Sequence, residues 1–416
     1  MEDHKSQIAN GASEKEKAQM DEDRISSEKE NASMEGEGIN GESSASQRVD
    51  GMQNTLQEDL ELERQLKLIN KPPVKSIQTK FGYIVDCIDI NKQPAFDHPL
   101  LKNHKLQRKP SNQKTIENSN LRNSPSKPKF GLEKPCPKGT VPIRRTTKNN
   151  LVQAKSLLDN QILAQQDPTY RTHVAEVNVL PLAKGFQGVN GTSSVWQPIV
   201  EKDQSSAALT WVRNGPLNAT NEIVAGWHVA PQLYNGDVGT HLFAQWTVDT
   251  FQKTGCYNVL CSGYMQTDHS YYLGGSFHYT SDRNNIVQFQ VGITQDPITK
   301  DWWLNVENTN IGYFPAELFT NLASANQVGW GGATTTHVGT PSPPMGSGLF
   351  PDEDMHGASY FRWLSFKNEN EYTDITGYST EAFADNPDCY WAKFYGYHKN
   401  IGSILQFGGP GGKCDN

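Results

Sequence analysis

The sequence predicts an all-β fold, a sandwich or a barrel, for the second half of the 416-residue chain, and three observations predict it. Beyond residue 172 the text breaks into short β-branched or aromatic segments separated by Gly, Pro, Asn and Asp, the punctuation of strands and turns. No helical periodicity intervenes between those segments. All nine Trp lie beyond residue 195, whereas residues 1–55 contain no aromatic residue and no Leu.

Taken in order, residues 1–55 cannot bury enough apolar surface to offset the entropy of ordering them, so a disordered N-terminal extension is expected. Residues 56–75 form a short helix and linker: Leu56, Leu60, Leu66 and Ile69 keep mostly helical spacing, and Pro72-Pro73 stops the pattern. Residues 76–148 form a small α+β accessory domain, with period-two text around Ile84-Val85-Asp86-Cys87-Ile88 marking a strand or hairpin. Residues 149–171 are expected to be linker, and 172–416 the β domain. Its strands are expected at 174–179, 208–212, 223–229, 241–248, 271–279, 286–293 and 302–307, with one short helix at 315–322 that carries Pro315 early.

Charge divides the chain as well. Residues 172–416 hold 11 Lys plus Arg against 22 Asp plus Glu, while residues 102–148 hold 13 basic and 2 acidic side chains. A basic block beside an acidic body favours docking between them. Nucleic-acid binding is not expected, because no aromatic residue interleaves the charges before Phe130 and no binding motif accompanies them.

Six cysteines fall into local groups, Cys87 with Cys136, Cys256 with Cys261 and Cys389 with Cys414. Their even number suggests disulfides and an oxidising compartment, although six cysteines allow about 15 pairings. Zinc is disfavoured, since Cys256 and Cys261 have no second pair or His cluster beside them; no metal or other cofactor is expected. Before residue 80 there is no apolar run of the about 7 to 15 residues that a secretory signal needs. No run is long enough for a membrane span. Asn190 and Asn218 head Asn-x-Thr sequons, acceptors for glycosylation if the chain enters the secretory route.

Specific stretches carry a family likeness. Gln93-Pro-Ala-Phe-Asp-His-Pro-Leu-Leu-Lys-Asn-His104, and Cys136-Pro-Lys-Gly-Thr140 followed by Pro142-Ile-Arg-Arg145, resemble the activation peptide ahead of neprosin, the plant proline-cleaving endopeptidase. Ala225-Gly-Trp227, Thr254-Gly-Cys-Tyr-Asn258, Leu260-Cys-Ser-Gly-Tyr264, Asp301-Trp-Trp303, Gly312-Tyr-Phe-Pro315, Trp330-Gly-Gly332 and Gly408-Gly-Pro410 resemble the neprosin catalytic domain across 172–416. The resemblance implies a sandwich of two antiparallel sheets, a pro-domain acting in cis, an extracellular location and a proline-rich peptide as partner.

It also implies a mechanism. Neprosin is similar to other glutamic peptidases in using two Glu, one to activate water and one to support the carbonyl or protonate the leaving nitrogen. Such a pair must share a cleft that holds their proton affinities apart. In the family pattern the first Glu directly precedes Ala-Gly-Trp and the second follows Trp-Gly-Gly; here these positions are Val224 and Ala333. Glu222 is the nearest substitute, on the same strand face but about 6.5 to 7 Å along. His228, His337 and Asp237 are further candidates, each more simply read as a surface or hydrogen-bonded side chain. There is no Gly-x-Ser-x-Gly elbow and no His-Glu-x-x-His motif.

Trp227, Trp246 and Trp330 are candidates to line a substrate groove, with core packing as the alternative. The expectation that follows is a catalytically impaired glutamic-peptidase-like protein that retains a peptide-binding groove. Two alternatives stand beside it: an active proline-cleaving endopeptidase that uses Glu222 or another group, and a cell-wall or carbohydrate-binding β-sandwich.

Overall fold

The computed structural model describes residues 57–111, 130–163, 169–369 and 371–414. The expected disordered extension, 1–55, lies outside these residues. The chain separates into two compact units, Met1–Asp59 and Leu60–Asn416; only 57–59 of the first are described, as the start of helix α1 (57–69). In the second unit α1 buries Ile69 and ends at Asn70, whose amide donates to Thr146 O (2.7 Å) while its oxygen accepts the Thr146 N–H (2.9 Å).

A three-stranded antiparallel sheet follows, β1 (Lys75–Gln78), β2 (Ile84–Asp89) and β3 (Thr140–Arg144), in that order. The Cys87–Cys136 disulfide and two 3₁₀ turns, Pro94–Asp97 and Pro99–Leu101, complete it. The linker expected from 149 is instead part of a 16-residue helix, α2 (Lys148–Leu163). The helix opens on a reciprocal cap: Thr147 N–H donates to Asn150 Oδ1 (2.9 Å) and Asn150 N–H to Thr147 Oγ1 (3.2 Å), satisfying donors that a helix start otherwise leaves bare. Its sequence has neither Gly nor Pro; what it lacks is a clean apolar stripe, the signal on which a sequence-based assignment rests.

The β domain contains β4 (Tyr170–Val179), β5 (Gly188–Ser194), β6 (Ser205–Asn214), β7 (Asn221–Val229), β8 (His241–Thr247), β9 (Cys256–Tyr257), β10 (Met265–Gln266), β11 (Gln288–Gln295), β12 (Trp302–Val306), β13 (Thr309–Phe314), β14 (Gln327–His337), β15 (Ser359–Asn368), β16 (Glu371–Asp374), β17 (Thr380–Ala384), β18 (Trp391–His398) and β19 (Gly402–Gly408). Two antiparallel sheets result. The seven-stranded one runs β17-β4-β14-β6-β7-β8-β9; the nine-stranded one runs β10-β13-β12-β11-β5-β15-β19-β18, with β16 attached to β15. Val177, Ala208, Trp227 and Trp330 of the first pack with Phe289, Val291, Phe361 and Phe407 of the second in one buried cluster, as alternation along each strand requires. Ile90, Leu101, Val141 and Ile143 belong to the same cluster. The accessory region thus shares the sandwich core.

Two expected elements differ. Residues 271–279 contain no strand, only the bridges of Ser276 to His241 and of Phe277 to Phe130, and the helix at 315–322 shrinks to a 3₁₀ turn, Ala316–Leu318. Conversely, β5 reads Gly-Val-Asn-Gly-Thr-Ser-Ser and carries almost no strand signal, yet every residue of it is buried. Its conformation is imposed by two neighbours, β11 and β15, rather than by propensity.

Candidate functional site

On β7 the side chains of Ile223, Ala225 and Trp227 enter the core, which turns Glu222, Val224, Gly226 and His228 to the outer face of the seven-stranded sheet. The same alternation places Ala207, Leu209, Trp211 and Arg213 of β6 outward, together with Gly329, Gly331 and Ala333 of β14 and Val174, Glu176 and Asn178 of β4. Pairing then fixes the rows. Asn178, Gly329, Trp211 and Val224 lie level across four strands; Ala333 lies level with Ala207 and His228; Arg213 faces Glu222.

The two positions matched to catalytic Glu are therefore on one face but not opposite each other. Val224 and Ala333 are separated by β6 and by the four residues from Trp211 to Ala207, which amounts to about 13 Å along and about 10 Å across, roughly 16 Å in all. The residue of β14 level with Val224 is Gly329. It has no room for a side chain: a Cβ there would stand 2.5 Å from Trp211 Cζ2, 2.7 Å from Val177 O and 2.8 Å from Asn178 Oδ1. None of positions 224, 329 and 333 carries a carboxylate.

Apolar contact fills this part of the face. Val224 is 4% exposed and clusters with Ala207, Trp211, Leu233, Tyr234, Phe243 and Tyr257, and Ala154 brings helix α2 into the same cluster. The segment expected as linker thus packs on the 231–234 turn beside this cluster, where Asn150 Nδ2 donates to Leu233 O (2.9 Å).

Carboxylates do reach the site from either side. Arg213 Nε lies 3.2 Å from Glu222 Oε1, and its Nη2 lies 3.6 Å from Glu176 Oε2. The guanidinium carbon sits 4.8 Å from the centre of the Trp211 ring, and Asn178 Nδ2 donates to Glu176 Oε1 (2.9 Å). Side chains of Arg213, Glu222 and Glu176 are 26%, 18% and 16% exposed, so the cluster opens to solvent at one edge. Burial pushes the Glu222 carboxyl above its ordinary value; Arg213 opposes that shift and the Glu176 charge adds to it. Glu176, Asn178, Trp211 and Arg213 were not singled out in the sequence. The available signal was the alternation of Val174, Glu176 and Asn178 against Ala175, Val177 and Val179.

The other candidates fall elsewhere. Trp227 and Trp330 have no exposed surface, which removes them from any groove; the Trp227 indole N–H donates to Ser194 O (2.8 Å) inside the core. Trp246, 6% exposed, packs against the rings of His98 and Phe319. The indole on the outer side of the sheet is that of Trp211, and it is buried as well, 1% exposed. His228 is buried with its Nε2 2.7 Å from Tyr234 Oη, Asp237 Oδ2 lies 3.3 Å from His241 Nε2, and His337 is exposed beside Tyr170. Asn190 is 6% exposed and its Oδ1 accepts from Gln290 Nε2 (2.8 Å), so it cannot take a glycan in this fold; Asn218 stands exposed in a turn. Disulfides join Cys87–Cys136, Cys256–Cys261 and Cys389–Cys414. Among the described residues no group of three or more His, Cys, Asp or Glu is placed to hold a metal ion, and no helix is long and apolar enough to cross a membrane.

Comparison with known proteins gives two family matches. The neprosin family model matches residues 202–410, and that of the neprosin activation peptide matches residues 76–178. Among solved structures, Scytalido-glutamic peptidase with a peptide-based transition state analog is similar at 13% identity, over 58% of this chain and 99% of that one, with a TM-score of 0.33. SCP-B, a member of the Eqolisin family of peptidases in complex with the tripeptide Ala-Ile-His, is similar at 11% identity, over 58% and 99% of the two chains, with a TM-score of 0.32.

Proposed function

The chain belongs to the neprosin family, with an activation-peptide region in cis ahead of a peptidase-like domain, and on that premise we propose that it binds extended peptides on the outer face of the seven-stranded sheet without hydrolysing them at the family's rate. One observation carries this reading. The outer face holds Val224 and Ala333 at the two positions matched to the family's Glu, neither of them a carboxylate, and Val224 and Trp211 are buried in an apolar cluster. Loss of a single acid-base group removes about 10² to 10⁴ in rate, and loss of both removes more. Proline-containing segments are the favoured ligands on the family likeness alone. Three disulfides support an oxidising, extracellular setting.

The test is cleavage of proline-containing fluorogenic peptides by the whole chain at acidic pH. The expected result is no turnover. Restoring both carboxylates as Val224→Glu, Ala333→Glu is expected to bring cleavage back, because the loss is attributed to those two positions. A variant that folds and stays inert would show that they are not the acid–base pair. A second reading, hydrolysis by Glu222, has the raised proton affinity of that carboxyl in its favour. It requires turnover by the native chain that Glu222→Gln abolishes.

A further inference from the structure

We propose that Arg144 and the cleft beside it, at the seam between the activation-peptide region and the β domain, form a binding site for a small oxyanion, a phosphate or a carboxylate group. The inference does not depend on peptide binding at the outer face.

The cleft is the first observation. About 350 Å³ of empty space, shared in part with solvent, lies between the 144–150 segment on one side and the 233–234, 258–260 and 273–274 segments on the other. Arg144, Arg145, Thr146 and Asn150 line it from the activation-peptide region, and no acidic side chain lines it from either side. Leu233, Leu260 and Leu273 make the facing wall largely apolar, and a charge contact against such a wall is stronger and less screened than one in open water. Helix α2 begins within the lining segment, so its positive end adds to the field of the arginines.

An unmatched charge is the second observation. Arg145 shows how this chain satisfies a guanidinium: its Nε and Nη2 donate to the two oxygens of Asp86 at 2.7 and 2.6 Å. Arg144, the next residue, has no such partner. Among the described residues no carboxylate pairs with it, and its hydrogen bond to Gly274 O is long, 3.4 Å. Asp237 feels its charge but is committed to His241 and to the Gly239 N–H. The rings of Tyr83 and Tyr234 hold the guanidinium carbon at 4.0 and 4.6 Å; a ring face attracts the cation but gives its in-plane N–H groups no lone pair. What remains is a planar fork of donors, fixed by two rings, on the wall of an acid-free cleft. Such a fork matches the paired oxygens of a carboxylate or phosphate.

The site exists only when the two regions are docked, because its lining is drawn from both. An anion that binds there therefore stabilises the docked form by mass action.

The experiment follows the Tm of the whole chain at pH 7 and fixed ionic strength against inorganic phosphate and, separately, against acetate. For the native chain Tm is expected to rise and level off, half-way at about 1 mM, the strength of about two charge-assisted bonds. Arg144→Met, which keeps an unbranched stem between the rings but carries no charge, is expected not to respond. Saturation by phosphate alone supports a phosphate site, and saturation by acetate supports a carboxylate site. No saturable rise with either anion, or a rise equal in native chain and variant, overturns the proposal. Should Arg144→Met fail to fold, equilibrium dialysis of the native chain against labelled phosphate and labelled acetate decides the point: one anion retained per chain is expected, and retention of neither overturns the site.

Discussion

A methyl group on Gly226 would stand inside the carbonyl oxygen of Ala208 on the adjoining strand, and because both atoms belong to paired backbone, neither can yield. Gly226→Ala is accordingly expected to lower stability by about 2 to 4 kcal/mol, read as the denaturation midpoint. Ala225-Gly-Trp227 carries the family likeness for this packing reason as much as for chemistry. Arg213 gives a second prediction. Removing it as Arg213→Met leaves Glu222 and Glu176 facing each other without a counter-ion. The expected cost is about 1 to 3 kcal/mol at neutral pH, below that of a fully buried pair because a quarter of the arginine is exposed. The sign with pH follows from Glu222. Its carboxyl holds a proton more tightly in the fold than in the unfolded chain, so its contribution favours the fold at low pH and turns against it as pH rises through the folded value. The Arg213→Met deficit should shrink between pH 7 and pH 4.5, measured as the difference in Tm from the native chain; a deficit unchanged over that range rules out the charge explanation.

At the scale of elements, what the sequence made legible was whatever a local pattern encodes. Strands such as β7 and β8 combine β-branched or aromatic text with turn residues on both sides, and both appear within two residues of their expected bounds. Helix α2 and strand β5 were missed for opposite reasons. Helix α2 has a cap and good helix formers but no narrow apolar stripe, since it docks on the 231–234 turn through a small contact at Ala154 and Asn150. Strand β5 is Gly, Asn, Thr and Ser with a single Val, and Trp330 stands over its Gly191, where a Cβ would be 2.9 Å from the indole nitrogen. The candidate site was legible only in its absences. That positions 224 and 333 lack carboxylates could be read from one dimension, but that they lie four residues out of level, and that Glu176 approaches Glu222 through Arg213, depends on the pairing of four strands. Ala154→Glu is the prediction that belongs here. It should leave the sheets folded while raising hydrogen exchange throughout α2, and exchange that rises equally in β6 and β7 would mean that α2 is part of the sandwich rather than an element docked beside it.

For the molecule as a whole, the question is how the activation-peptide region is held. Hydrophobic residues on both sides form one core, so cutting the chain between the two regions is not enough to part them. The polar seam is more sensitive. Arg144 of β3 lies between the rings of Tyr83 and Tyr234, 4.0 and 4.6 Å from their centres, and its guanidinium reaches Gly274 O at 3.4 Å. Behind Tyr234 stand His241, stacked on it at 3.6 Å, and His228, bonded to its hydroxyl and stacked on Phe243 at 4.1 Å. Burial pulls both imidazoles below their ordinary value, His228 furthest, with each other's charge deepening the shift for His228 and Arg144 deepening it for His241; Asp237 opposes it for His241. A histidine depressed in the fold contributes stability that is complete above its unfolded value, about 6.5, and is lost as pH falls through the folded value. Two imidazolium ions would then face Arg144 with Asp237 as the carboxylate beside them. The seam between β3, the 231–234 turn and β8 should therefore loosen in acid before the sheets do. Hydrogen exchange at pH 7 and pH 5 checks this: protection is expected to fall at β3 and α2 while β14 and β15 hold, and His228→Gln, which keeps a hydrogen-bonding group beside Tyr234 but cannot charge, should remove much of the difference. Uniform loss across both sheets would instead assign the acid sensitivity to the sandwich as a whole.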